Sequence, residues 1–283
     1  MDNAVVVLVN DTHKGDNSYI VELESTVLDI AAQFGKTTLC FESWSNERLF
    51  YDSMPNVPSE KLEEHIAKEA RPDVRDYYRE LMGLLIRLSK KGIKTVPIDA
   101  DNSDGKITEK FVVKNSAIQT INTTESFDQF LEAFILYDRI LGEVLEFRES
   151  SMKINIADVA RGAAGNRCVI VIVGSDHVPV LQDGLSAQGF DVRLLRPVPE
   201  YVQQSRETIK IATRGNLTDD EKLLLLKSHW KYATDATTLL EARAIFENRT
   251  NAEKQARLQQ LRTEGNVRNS TGSTPQLKSR AIP

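Results

Sequence analysis

Two runs in this chain, Val5-Val6-Val7-Leu8-Val9 and Cys168-Val169-Ile170-Val171-Ile172-Val173, are apolar at every position and mostly β-branched. A strand with one wet face alternates apolar and polar residues. A run without alternation is a strand covered on both faces, as in the middle of a parallel sheet. Segments 36–43 (KTTLCFES), 93–100 (IKTVPIDA) and 191–197 (DVRLLRP) are also of strand length and character. Helical spacing lies between them. Ile20, Leu23, Val27, Ile30, Ala31 and Phe34 share one helical face, with Gly35 as the stop. A second helix opens with Pro72 in its first turn and ends at Gly92, and HVPVLQDGLSAQGF is closed by Gly189. This alternation predicts an α/β fold, a mostly parallel sheet flanked by helices.

Region 101–124 holds the turn-rich stretches DNSDGK and NTTES and is not assigned to helix or strand. A helix is expected from Ser126 to about Phe147, and another beyond it over MKINIADVARGAAG. After Thr218 come two more, forming a C-terminal helical extension. From Gly265 the apolar period is gone and disorder is expected. The resulting division is an α/β domain over 1–200, the helical extension over 201–264 and a tail over 265–283.

With 283 residues, 41% of them hydrophobic, a core can form without staples. Cys40 and Cys168 each sit inside an apolar run, which suits buried free thiols and offers neither a disulfide framework nor zinc-ligand spacing. No window approaches the ~20 apolar residues of a membrane span. The first residues, MDNAVVVLV, put Asp where a signal peptide carries Lys or Arg, so a cytoplasmic location is expected. The net charge of −5 divides unevenly: seven basic and two acidic residues stand from Arg249 onward. No aromatic follows Phe246, so this end reads as a solvated helix and tail, not a nucleic-acid face. The partner expected is a small-molecule or peptide substrate; nothing in the sequence specifies an oligomeric state.

Parallel sheets gather ligands at the carboxyl ends of their strands. Asn10-Asp11-Thr12-His13 follows the first strand, Glu42 ends the second, and Gly174-Ser175-Asp176-His177 follows the 167–174 strand. His13, Glu42 and His177 are therefore expected on one edge. Two imidazoles and a carboxylate supply a base, an orienting anion and a group for developing charge, which is what water activation needs. The same three could ligate a divalent metal with a position left for water. Glu42 closes an apolar strand, where an unpaired carboxylate would be costly. Arg148, in FRESSM between two helical stretches, is a fixed cation available to a carboxylate or oxyanion, although its spacing alone suits a helix surface. His65 and His229 fall in helical stretches and read as structural.

The order of these features resembles the superfamily of erythromycin esterases, Tiki and TraB proteins and ChaN-like haem-binding proteins. The segment from FRESSM through GSDHVPVLQDGLSAQGFDVRLL is similar to that superfamily's arginine-containing helix, its strand ending in Gly-x-x-His, a Leu-rich helix and a Gly before the next strand. Asn10-Asp11-Thr12-His13 resembles its first Gly-Glu-x-His motif, with Asn10 in place of glycine and the shorter Asp11 in place of glutamate. Phe41-Glu42-Ser43 resembles the strand that delivers its glutamate. The likeness covers 4–197 in pieces. It implies hydrolysis of an ester or peptide bond, with His13 as base or metal ligand, Glu42 orienting it, His177 as second imidazole or ligand and Arg148 on substrate charge or the oxyanion. One branch implies haem, for which His13, His177 and Tyr51 are the ligand candidates. A non-catalytic or toxin-like interaction domain on the same fold is the remaining alternative.

Overall fold

The computed structural model describes residues 4–11, 17–53, 56–69, 75–162 and 167–270. Its sheet has five strands: β1 (Val5–Asp11), β2 (Lys36–Trp44), β3 (Lys94–Asp99), β4 (Arg167–Gly174) and β5 (Asp191–Leu194). All pair in parallel, in the order β3-β2-β4-β1-β5. The two unbroken apolar runs are β1 and β4, neighbours inside the sheet. They pair from Val5 with Cys168 to Asp11 with Gly174, so their carboxyl ends lie side by side. The β2–β3 register breaks between Phe41 and Trp44, the stretch that carries Glu42.

Successive strand residues serve opposite faces. Val7, Val9, Leu39, Phe41, Ile170 and Ile172 pack with residues of α1 (Asn17–Ala32), the short α2 (Arg48–Ser53), α3 (Ser59–Glu69) and α4 (Arg75–Lys90). Val6, Leu8, Cys40, Val169, Val171 and Val173 pack with the later part of a long helix and with α7 (Val178–Ser186). Each such fully buried aliphatic side chain contributes about 1.5–3 kcal/mol, so β4, buried on both faces, is a principal source of stability. Cys40 and Cys168 are free and buried, and burial pushes both thiols up to about 12. That leaves them inert as nucleophiles.

The glycine stops stand where they were expected. Gly92 and Gly189 have φ of +83° and +86°. In each case the following amide (Ile93, Phe190) reaches back to the carbonyl five residues earlier, Leu88 or Leu185. This closes the helix and sends the chain into the next strand.

Other expectations need correction. Most of the unassigned region 101–124 forms α5 (Lys106–Thr123). Only its lead-in is a turn, with Gly105 at φ +73° and the Asn102 side chain accepting from the Ile107 amide. Buried Ile107 and Ala117 anchor a helix whose Asn, Ser and Thr residues have weak intrinsic preference for it. The two helices expected on either side of Arg148 are one, α6 (Phe127–Arg161). The last helix, α10 (Leu239–Ser270), runs beyond Gly265, where disorder was expected, and residues 271–283 lie outside the described residues.

The compact units also divide differently from the sequence boundaries. One comprises Met1–Asn115 and Asp138–Arg214, and thus includes α8 (Glu200–Thr213). The other joins Ser116–Tyr137 to the chain from Gly215 onward. The second unit has an aromatic centre in which Phe130 lies 4.6 Å from Phe246, 4.8 Å from Phe134 and 5.1 Å from Trp230 between ring centroids. Its α9 (Asp219–His229) opens with a capping box between Thr218 and Glu221. No described helix is long and apolar enough to cross a membrane.

Candidate functional site

Three strands of the first unit end in carboxylates: Asp11 on β1, Glu42 near the end of β2 and Asp99 on β3. The fourth, β4, ends in Gly174 and passes into a 3-10 turn, Ser175–His177. Of the four residues expected at this edge, His13 lies outside the described residues; the other three converge. The Arg148 guanidinium donates to Glu42 Oε1 at 2.5 Å, and His177 Nε2 stands 3.6 Å from that same oxygen. The other Glu42 oxygen accepts from the Gly174 amide at 2.7 Å. The carboxylate that looked hard to place at an apolar strand end is therefore held by a cation and a backbone amide.

Arg148 also donates from Nε to both oxygens of Asp99, at 2.9 and 3.1 Å. Asp99 accepts from the Ala100 amide, and Asn155, two turns along α6, donates to the carbonyls of Ile98 and Asp99. The end of β3 is thus fixed to α6 by both side chain and backbone. Burial opposes the guanidinium charge, but Glu42 and Asp99 outweigh it and hold its pKa above the ordinary arginine value. The role expected for Arg148, contact with substrate charge, is redirected by this pairing: it neutralises two carboxylates and sets their positions.

On its other side His177 meets Glu149, the residue after Arg148, with Nδ1 2.9 Å from Oε1. Glu149 is in turn held by Arg206 of α8, through Nη1 at 3.1 Å and through Nη2. Burial disfavours the charged ring, but the carboxylates of Glu149 and Glu42 outweigh burial and the opposing Arg148, raising the His177 pKa to about 9. At neutral pH this imidazole is protonated. A protonated ring donates from both nitrogens and has no lone pair with which to accept a proton. The whole forms an alternating chain, Asp99, Arg148, Glu42, His177, Glu149, Arg206, with three negative and three positive members.

Asp11 is buried, and its carboxylate accepts from the Tyr77 hydroxyl of α4 while its carbonyl accepts from Ser175 Oγ. Tyr78, the next residue, is half-buried; burial first, and then the charges of Glu42 and Asp99, push its phenol up. The sequence reading missed Asp99, Glu149, Tyr77, Tyr78 and Arg206. Asp99 was legible as the last residue of an apolar strand, and Glu149 as the neighbour of Arg148. Tyr77, Tyr78 and Arg206 carry no local signal, because each reaches the site only through tertiary packing.

Among the described residues no group of three or more His, Cys, Asp or Glu side chains is arranged to hold a metal ion. Of the expected ligand set, Glu42 is engaged by Arg148 and Gly174, and His177 lies against Glu149, so these two fit a metal poorly. Haem fits no better. Tyr51 is buried with its hydroxyl 2.7 Å from Ser43 Oγ and its ring on Phe41, and burial raises its pKa well above the ordinary phenol value. The two histidines read as structural make ring contacts within their own units. His65 stacks on Phe50 with centroids 4.0 Å apart, and His229 stacks on Phe134 in the second unit.

No family model matches the chain, and neither a curated protein nor a solved structure matches it.

Proposed function

We propose that this protein hydrolyses an ester or peptide bond at the carboxyl edge of its sheet, by activation of water. The observation that carries this reading is the alternating chain, which sets a protonated imidazole and an oriented carboxylate side by side at the ends of β2 and β4. Ions are expensive to bury, and a structural purpose alone is better met by apolar residues. In this mechanism His13, two positions beyond β1 in sequence, takes the proton from water. Glu42 orients the base and disperses its charge. His177 stabilises the oxyanion or protonates the leaving group through Nε2, and Arg148 holds Glu42 in place. The resemblance to the erythromycin esterase, Tiki/TraB and ChaN-like superfamily supports the same assignment. Water activation is preferred to a metal because Glu42 and His177 are engaged by other partners.

The test is turnover of small chromogenic esters and a quenched peptide library, with and without chelator. His13→Ala should lower kcat by about 100-fold or more, the range for a lost general base. His177→Ala and Glu42→Gln should also lower it, and chelator should change nothing. No turnover by the wild-type chain, or full turnover by all three variants, overturns the reading.

One observation favours a second reading, a non-catalytic interaction domain: Asp99, Glu149 and His177 are only 1–3% exposed. In that case the chain of charges is a clamp between helices and strand ends. His177→Ala and Glu42→Gln would then melt early without any activity to lose.

A further inference from the structure

Arg206 reaches His177 by two routes. Its Nε donates to the carbonyl of Asp176, the residue just before His177, at 2.8 Å, while Nη1 and Nη2 grip the Glu149 carboxylate that faces His177 Nδ1. One planar guanidinium therefore ties down both the backbone that carries the imidazole and the anion that its ring addresses. We propose that Arg206 and Glu149 are positioning residues that lock the His177 ring with Nδ1 turned inward and Nε2 presented to Glu42 at the sheet edge.

An imidazole at the end of a 3-10 turn has two side-chain torsions, and its terminal torsion is broad. A carboxylate accepting from Nδ1 fixes the ring plane and commits the other nitrogen to the opposite side, toward Glu42. Glu149 can do so only if its own carboxylate is fixed, and bidentate pairing with a guanidinium fixes it in direction as well as distance. Lysine, a single point of charge, cannot hold a carboxylate and a backbone carbonyl in the same plane. The helix that carries Arg206 packs closely on α6. A Cβ at Gly142 of α6 would stand 2.7 Å from Ile209 Cγ2 and 2.9 Å from Thr213 Cγ2 of α8, so any side chain there would have to push those two aside.

What Nε2 does in hydrolysis rests on the reading above; the locking of the ring does not. The test uses the full chain labelled with 15N-histidine, the His177 signals being assigned by their loss in His177→Gln. The wild type should show a sharp, strongly downfield Nδ1–H proton, the signature of donation to a carboxylate. In Arg206→Gln that proton should move upfield and broaden. Arg206→Lys should be intermediate, and Glu149→Gln should lose the downfield shift while keeping the fold by circular dichroism. If Arg206→Gln does not fold, the Arg206→Lys and Glu149→Gln spectra decide. On a hydrolysed ester, Arg206→Lys should lower kcat by about 10–100-fold, the usual range for a supporting partner, with little change in KM. A missing Nδ1–H signal in the wild type, or one unchanged in the variants, overturns the proposal. A signal that responds as expected in a chain without hydrolytic turnover upholds the positioning and removes only the hydrolase reading.

Discussion

The two units bury quite different material at their centres. In the second, Phe127, Phe130, Phe134, Trp230 and Phe246 meet edge to face or tilted, and every contact there is favourable by area and by quadrupole geometry. At the carboxyl edge of the first, Asp99, Arg148, Glu42, His177, Glu149 and Arg206 are drawn out of water, and each is tolerable only because its neighbour carries the opposite sign. Removing one ring leaves a cavity that its surroundings can partly close. Removing one ion leaves its neighbours with buried charge that their remaining partners only partly offset. An aromatic centre is therefore robust by degrees, whereas an ionic chain is intact or broken.

The largest effect is expected where the chain of charges is cut in its most shared member. Arg148→Met leaves Asp99 and Glu42 facing each other without their common cation and should cost about 3–5 kcal/mol in urea unfolding. Adding Glu42→Gln and Asp99→Asn to the same variant should recover most of that loss; a failure to recover would show that Arg148 acts by packing and not by charge. Phe130→Ala should cost slightly less, about 3–4 kcal/mol, and should leave the His177 resonances of the first unit unmoved.

Next comes pH. The His177 pKa is raised in the folded state, to about 9. Its contribution is thus fully present below the unfolded value near 6.5 and is lost as pH rises through 9. The unfolding free energy should fall across that window by about 3 kcal/mol, and His177→Gln should flatten the curve. The smallest effect is expected at Gly142→Ala, where a methyl must displace Ile209 and Thr213 at a cost of about 1–3 kcal/mol. If that variant also disturbs the His177 signal, the α6–α8 approach is what seats Arg206.

Much of this arrangement was legible in the residues. Unbroken β-branched runs marked β1 and β4 as doubly covered, and Gly92 and Gly189 marked the helix ends, because backbone physics acts locally at those positions. Glu42 and His177 were legible from the rule that parallel strands open at their carboxyl ends. The α5 helix was not, because its Asn, Ser and Thr residues favour turns and only tertiary burial of Ile107 and Ala117 overrides them. The continuity of α6 was hidden by the polar run Arg148-Glu149-Ser150-Ser151, of which the first two turn into the site and the last two do not. Arg206 was out of reach altogether: nothing near it in sequence tells that it sits against Glu149, 57 positions away.

Arg148 and Glu149 are consecutive, yet one serves the ends of β2 and β3 and the other the turn after β4. A helix turns about 100° per residue, so a single peptide bond separates two directions that the sheet edge needs at once. The site is therefore sensitive to helical phase and tolerant of loop length. One residue inserted between Glu149 and Asn155 would swing Asn155 away from the Ile98 and Asp99 carbonyls and release the end of β3. Several residues inserted in the turn before α5 would leave every one of these partners in place, since lengthening a loop carries only a slowly growing entropic penalty.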